Sequence, residues 1–170
     1  EEMEGPQMCC LWNSGIVSAD SVRKYMEDSG GGLEFQITEN TKTIEYVEKD
    51  GIRLSSGILL ELPEHVSKDM LSPKISAGLE PEMPKKGEIW ITTKMANILN
   101  AKEGDSISLQ MADRAENVKV VKIVADPVFG GGNTNVYRMW CGYGRLSEFA
   151  LAENHRMSYL EIRFQKFPRQ

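Results

Sequence analysis

The sequence predicts an α+β fold in which two βαβ units form a split αβ sandwich and a β-rich lobe is inserted between them. Three observations carry that expectation. Residues 8–37 and 136–164 each read strand, helix, strand over similar lengths. The stretch between them holds short apolar runs separated by turn residues. The 170 residues are 41% hydrophobic and 26% charged, the balance of a folded globular chain and not of a disordered one. The expected division is a terminal αβ lobe from residues 1–47 plus 115–170 and an inserted β-rich lobe from 48–114.

Each element has a local reason. Met8-Cys9-Cys10-Leu11-Trp12 is a short apolar run and reads as a buried strand, left through Asn13-Ser14-Gly15. Ser18 is placed to cap a helix over residues 19–29, with Asp20 in its first turn. Val22, Tyr25 and Met26 fall at helical spacing, and Gly30-Gly31-Gly32 is the stop. Leu33, Phe35 and Ile37 alternate with polar residues, the mark of a half-buried strand, and Ile44, Tyr46 and Val47 mark another. Lys49-Asp50-Gly51 is a turn signal that leads into a strand within Ile52–Leu62.

Pro63, Pro73, Pro81 and Pro84 make the next stretch mostly loop, with one short helix near Val66–Leu71. Glu88–Thr92 then reads as a strand, Lys94–Leu99 as a short helix and Ala101–Asp105 as a turn. Ser106–Met111 alternates as a strand with Ile107 and Leu109 on one face. Val118–Val124 is the clearest strand, and it runs into Asp126-Pro127-Val128-Phe129 and the Gly130-Gly131-Gly132-Asn133 loop. A strand over Val136–Tyr143, a helix over Arg145–Asn154 and a strand over Ser158–Phe164 complete the reading.

The formal net charge of −5 is spread along the chain and argues against a nucleic-acid surface, which needs a basic stripe. It also argues against adsorption on anionic lipid. No apolar run approaches the roughly 20 residues that span a bilayer, and Glu1-Glu2-Met3-Glu4-Gly5-Pro6 lacks the features of a signal peptide. In a membrane protein the spans would therefore lie outside these residues. A sheet built from the two terminal units would bring both ends together, as a domain set between two membrane helices requires.

Arrangements that carry catalytic chemistry are absent or incomplete in the sequence. Cys9, Cys10 and Cys141 have no CxxC spacing and read as buried thiols on strands; a bridge from Cys141 to Cys9 or Cys10 stays open if their strands are neighbours. Ser21-Val22-Arg23-Lys24 has the SxxK spacing without its SDN and KTG companions. His65 and His155 have no ligand-spaced neighbours; a zinc site or Cys–His pair would need Cys9, Cys10 or Cys141 beside one of them, and Cys141 with His155 is a conceivable pairing from strand to helix end. Glu45, Glu48, Asp50, Glu61 and Glu64 read as a solvated face. Met70, Met83, Met95 and Met111 read mostly as core filling. Gly130-Gly131-Gly132 runs into a strand and not a helix, so it is no phosphate cradle. It is a free loop, and Phe129, Gly130, Asn133 and Asn135 are the candidates to face cargo or a partner. No catalytic residue, cofactor or metal is expected, and the chain reads as non-enzymatic.

The string from Gly87-Glu88-Ile89-Trp90-Ile91-Thr92 through Ala101-Lys102-Glu103-Gly104-Asp105 to Leu109 resembles the periplasmic core of MacB and FtsX-like ABC transporter permeases. Asp126-Pro127-Val128-Phe129-Gly130 looks like the "DPxFG" junction of such permeases from Gram-positive bacteria, where this chain then departs with Gly131-Gly132-Asn133-Thr134-Asn135. The resemblance implies a MacB-like fold with the terminal lobe near the membrane, on the extracellular face of a bacterial cytoplasmic membrane. It implies a cytoplasmic ABC ATPase as partner, a second permease copy, and peptide, lipid or lipoprotein cargo. The domain would grip cargo or relay motion. The same strand, short helix, Gly-Asp turn and strand also resemble the swapped hairpin of AbrB-like and double-psi barrels. An extracellular binding module unrelated to transport is the further alternative.

Overall fold

The computed structural model of the chain describes residue 6 and residues 8–29, 33–39, 41–75, 81–130, 134–149 and 157–164. In chain order the elements are β1 (Met8–Asn13), α1 (Ala19–Asp28), β2 (Leu33–Thr38), β3 (Thr41–Lys49), β4 (Ile52–Glu61), β5 (Glu88–Thr92), α2 (Thr93–Leu99), β6 (Ser106–Gln110), β7 (Ala115–Val124), β8 (Tyr137–Cys141) and β9 (Met157–Phe164). Six strands close a barrel in the order β3-β4-β8-β5-β7-β6, and β1, β9 and β2 form a separate three-stranded sheet with β9 in the middle.

This architecture overturns the split αβ sandwich. The fold is mostly β and its centre is a closed barrel. The residues expected to form a second βαβ unit separate instead. β8 pairs with β4 and β5 in the barrel, while β9 pairs antiparallel with both β1 and β2. The expected helix between them is, among the described residues, one 3₁₀ turn at Leu146–Glu148; residues 150–154 lie outside the described set. The barrel draws strands from both expected sequence ranges, because β3, β7 and β8 hydrogen-bond with β4, β5 and β6. The helix expected near Val66–Leu71 is turn and bend.

The local devices explain why the elements stop and turn where they do. Ser18 caps α1, its side chain accepting from the Ser21 N–H, and Met26 is buried on the inner face. β3 and β4 form a hairpin through Asp50 and Gly51, both at positive φ, the backbone of a tight primed turn. Thr92 caps α2 by accepting from the Met95 N–H, and Asn100 ends it in the left-handed conformation. At the Gly-Asp turn the Gly104 N–H donates to the Val120 carbonyl at 2.7 Å, and the Val120 N–H donates to the Asp105 carbonyl at 2.8 Å. Gly104 sits at φ +97°, so the turn stitches directly onto β7.

Three packed clusters order the layers. The barrel core gathers Ile44, Leu59, Ile89, Ile91, Leu109, Val120 and Met139, with Met95, Ala96 and Leu99 of α2 joining it. A second cluster, with Leu60, Trp90, Trp140, Val124 and Tyr159, joins the barrel's outer face to the sheet. A third seats Met26 and Val22 of α1 on Leu160, Ile162 and Phe35. The order is therefore helix, sheet, barrel. β9 is covered on both faces, with Tyr159 against the barrel and Leu160 against α1. Among the described residues no helix is long and apolar enough to cross a membrane.

Candidate functional site

The Asp-Pro-Val-Phe-Gly motif forms one side of a buried ionic joint between barrel and sheet. Asp126 follows β7 and is 5% exposed. Its Oδ1 accepts from the Val128 N–H at 2.9 Å and the Phe129 N–H at 3.2 Å, an Asx turn. The Asp126 carbonyl accepts from the Gly130 N–H at 2.9 Å. A Cβ on Gly130 would stand 2.3 Å from that carbonyl oxygen, so the turn admits glycine alone.

Arg138 of β8 meets this carboxylate with two parallel bonds, Nε to Oδ2 at 2.8 Å and Nη2 to Oδ1 at 2.6 Å. Its Nη1 donates to Glu161 Oε1 of β9 at 2.7 Å. Arg138 is 0% and Glu161 1% exposed. The Phe129 and Trp140 rings each lie 5.2 Å from the guanidinium carbon. Ser72 Oγ donates to Glu161 Oε2. Gln36 of β2 holds the Ser72 loop, with Nε2 donating to the Ser72 carbonyl at 2.7 Å and Oε1 accepting from the Leu71 N–H at 2.9 Å. Lys74 and Ala125 exchange backbone bonds at 2.8 and 3.0 Å. Five segments thus converge on one guanidinium.

The three charged side chains sum to a formal −1 in a dry setting. Burial works against the Arg138 charge. The hydrogen bonds it donates to Asp126 and the attraction of Glu161 and Asp126 outweigh it, and the guanidinium is held charged well above its ordinary range. Both carboxylates are spent on Arg138, and none of the three reaches solvent. The arrangement fastens two layers together and offers no accessible acid–base pair. Gly130→Ala should loosen it through the clash with Asp126, costing about 1–3 kcal/mol in a urea titration.

Of the loop candidates, Phe129 and Gly130 belong to the joint, Phe129 half-buried against Arg138 and Gly130 closing the Asp126 turn through its N–H. Gly130 and Asn135 are exposed, and Asn133 lies outside the described residues. Thr134 Oγ1 donates to the Phe129 carbonyl at 2.7 Å, and Lys94 Nζ of α2 donates to the Thr134 carbonyl at 2.5 Å. The residues that sequence reasoning missed are Arg138 and Glu161. A signal existed: each is a charge set directly between apolar residues of a strand, within Tyr137-Arg138-Met139-Trp140-Cys141 and Tyr159-Leu160-Glu161-Ile162.

The remaining candidates scatter. Ser21 and Lys24 are exposed on α1, and the Ser21 Oγ pairs with Ser18. His65 is exposed and His155 lies outside the described residues. Glu48 pairs with Arg53, Asp50 with Lys49, and Glu61 accepts from the Leu146 N–H. Among the described residues, no group of three His, Cys, Asp or Glu is placed to hold a metal. A cleft of about 360 Å³ opens where the sheet meets the barrel, lined by Arg23, Gln36, Thr38, Glu61, Pro63 and Tyr143.

All three cysteines are free. Cys141 is buried and Cys9 half-buried, but Cys10 is exposed, against the expectation of buried thiols, because β1 lies at a sheet edge. Burial, then the Glu161 charge, pushes the Cys9 thiol up to about 11; burial, in part offset by Arg138, pushes the Tyr159 hydroxyl up to about 12. Raised values favour the neutral forms in the folded state. The stability they supply is complete below their ordinary values of 9.0 and 10.0 and is lost as pH rises through 11 and 12. Thermal melts from pH 8 to 12 should fall from pH 9 upward, and Cys9→Ala should flatten the first part of that fall. A flat profile would contradict the burial of these groups.

No family model matches the chain, and no curated protein matches it.

Proposed function

We propose that the chain is an extracytoplasmic, non-enzymatic domain of a bacterial ABC transporter permease of the FtsX/MacB type. It would lie on the outer face of the cytoplasmic membrane and relay motion driven by a cytoplasmic ATPase to a peptide, lipid or lipoprotein cargo. One observation carries the reading. The five residues that look like the permease junction, Asp126–Gly130, belong to the clamp that holds the barrel to the sheet. In that sheet β1 and β9 are antiparallel neighbours with Met8 opposite Ile162, so the start of β1 and the end of β9 lie side by side. A fastened joint beside adjacent ends suits a domain moved by two membrane helices. The cleft is walled by both parts, so rotation about the joint would change its width.

The closed barrel favours the double-psi resemblance as an architecture. It brings no activity with it, since one fold hosts many functions, and the net charge of −5 opposes a DNA-binding role.

Fractionation of the native host with an antibody to this chain tests the proposal. The expected result is a membrane protein that resists carbonate extraction, is cut by protease added outside intact spheroplasts, and co-purifies with an ABC ATPase. Recovery in the soluble fraction, or protection from the external protease, would sink it.

A further inference from the structure

The geometry points to self-association of this chain through the open edge of β1, with a second copy adding its own β1 antiparallel to form a continuous six-stranded sheet. β1 has a strand neighbour on one side only, β9, and among the described residues nothing pairs with its other side. An open edge presents unpaired N–H and C=O groups, and the chemistry that satisfies them is another strand.

What selects a second copy is the charge pattern. In a two-fold pair each residue meets its own strand's equivalents, so any charge near the axis faces its like across it. Residues 8–19 contain no Asp, Glu, Lys or Arg, in a chain that is 26% charged. The edge also lacks the lysine or proline that normally guards an exposed strand. Met8 is 47%, Leu11 51%, Ile16 83% and Val17 46% exposed, so the strand and the turn that follows it offer apolar surface to cover. The opposite edge differs: β2 carries Glu34, which is paired with Arg163 of β9.

The register follows from the pleat. Residues opposite each other in an antiparallel pair point to the same face. A two-fold axis perpendicular to one continuous sheet must therefore pass through a residue and not between two. Centring on Cys10 pairs residues 8–12 with themselves and leaves polar Asn13 outside. Cys10 then faces Cys10 of the second copy, and its side chain is exposed and free. Cβ atoms directly opposite stand about 4.5–5.5 Å apart, and a small approach of the two strands at the axis brings them to the roughly 4.5 Å at which an oxidant can join them. Two thiolates lose two electrons to the added oxidant and form one S–S bond. The inference rests on the edge alone and does not use the transporter reading.

Sedimentation of the 170-residue chain over a wide concentration range, under reducing conditions, is the test, with cross-linking by copper phenanthroline beside it. A monomer–dimer equilibrium is expected, and oxidation should give a dimer linked at Cys10 by peptide mapping. Cys10→Ala should keep the equilibrium and lose the link. Cys10→Lys, which sets two ammonium groups face to face on the axis, should weaken self-association by about a hundredfold or more. Because Cys10 is exposed, both variants should fold, and circular dichroism checks this. A monomer at all concentrations overturns the inference. So does a dimer that C10K leaves intact, or a β1 edge whose amides gain exchange protection only when another protein is added.

Discussion

Arg138→Met is expected to destabilise the fold by about 3–5 kcal/mol, the cost of stranding buried charge when one partner is removed. The substitution leaves Asp126 and Glu161 facing a site from which water is excluded, with no cation between them. It also removes the group that binds β8 to β9 and to the Asp126 turn at once. Urea titration measures the loss. The control is the triple variant R138M/D126N/E161Q, which removes the charges together. The amide introduced by D126N retains an oxygen to accept from Val128 and Phe129, so the triple variant should recover more than half of the stability that R138M loses. A single variant costing under about 1 kcal/mol would show that water reaches the site.

Trp140→Ala should be comparably severe, at about 3–5 kcal/mol for an excavated buried aromatic. Trp140 is 2% exposed, lies opposite Trp90 of β5 in the strand register and covers the Arg138 guanidinium. Its loss opens a void where barrel, sheet and joint meet. Trp140→Phe keeps a ring over the guanidinium and should recover most of the loss. The two sites touch, so R138M and W140A should combine to less than their sum. Simple additivity in the double variant would mean that ring and guanidinium do not act together.

Much of this molecule is local and legible. Ser18, the Lys49-Asp50-Gly51 hairpin turn and the strand–helix–turn–strand of Glu88–Gln110 all stand where short-range patterns place them. Those features depend on backbone propensities within a few residues. Barrel closure does not. β4 lies beside β8, and β3 beside β6, through partners some sixty to eighty residues apart, as in Gly57 with Tyr137 and Tyr46 with Gln110. Alternation of apolar residues says that a strand has a buried face, but not which strand lies next to it. The joint is half legible. Asp126 and Phe129 belong to a motif that stands out, whereas Arg138 and Glu161 gain meaning only when β8 and β9 are brought together.

The antiparallel pairing of β1 with β9 also sets how the domain answers force. Tension applied at Met8 and at Phe164 acts at the same end of the two strands, and it parts their hydrogen bonds one after another like a zipper. Shear, which loads all bonds together, would need the two ends at opposite extremes of the pair. That pair therefore opens one bond at a time, whereas the closed barrel has no edge strand to peel away. Load carried along β9 passes to the barrel through the Arg138 clamp on Glu161.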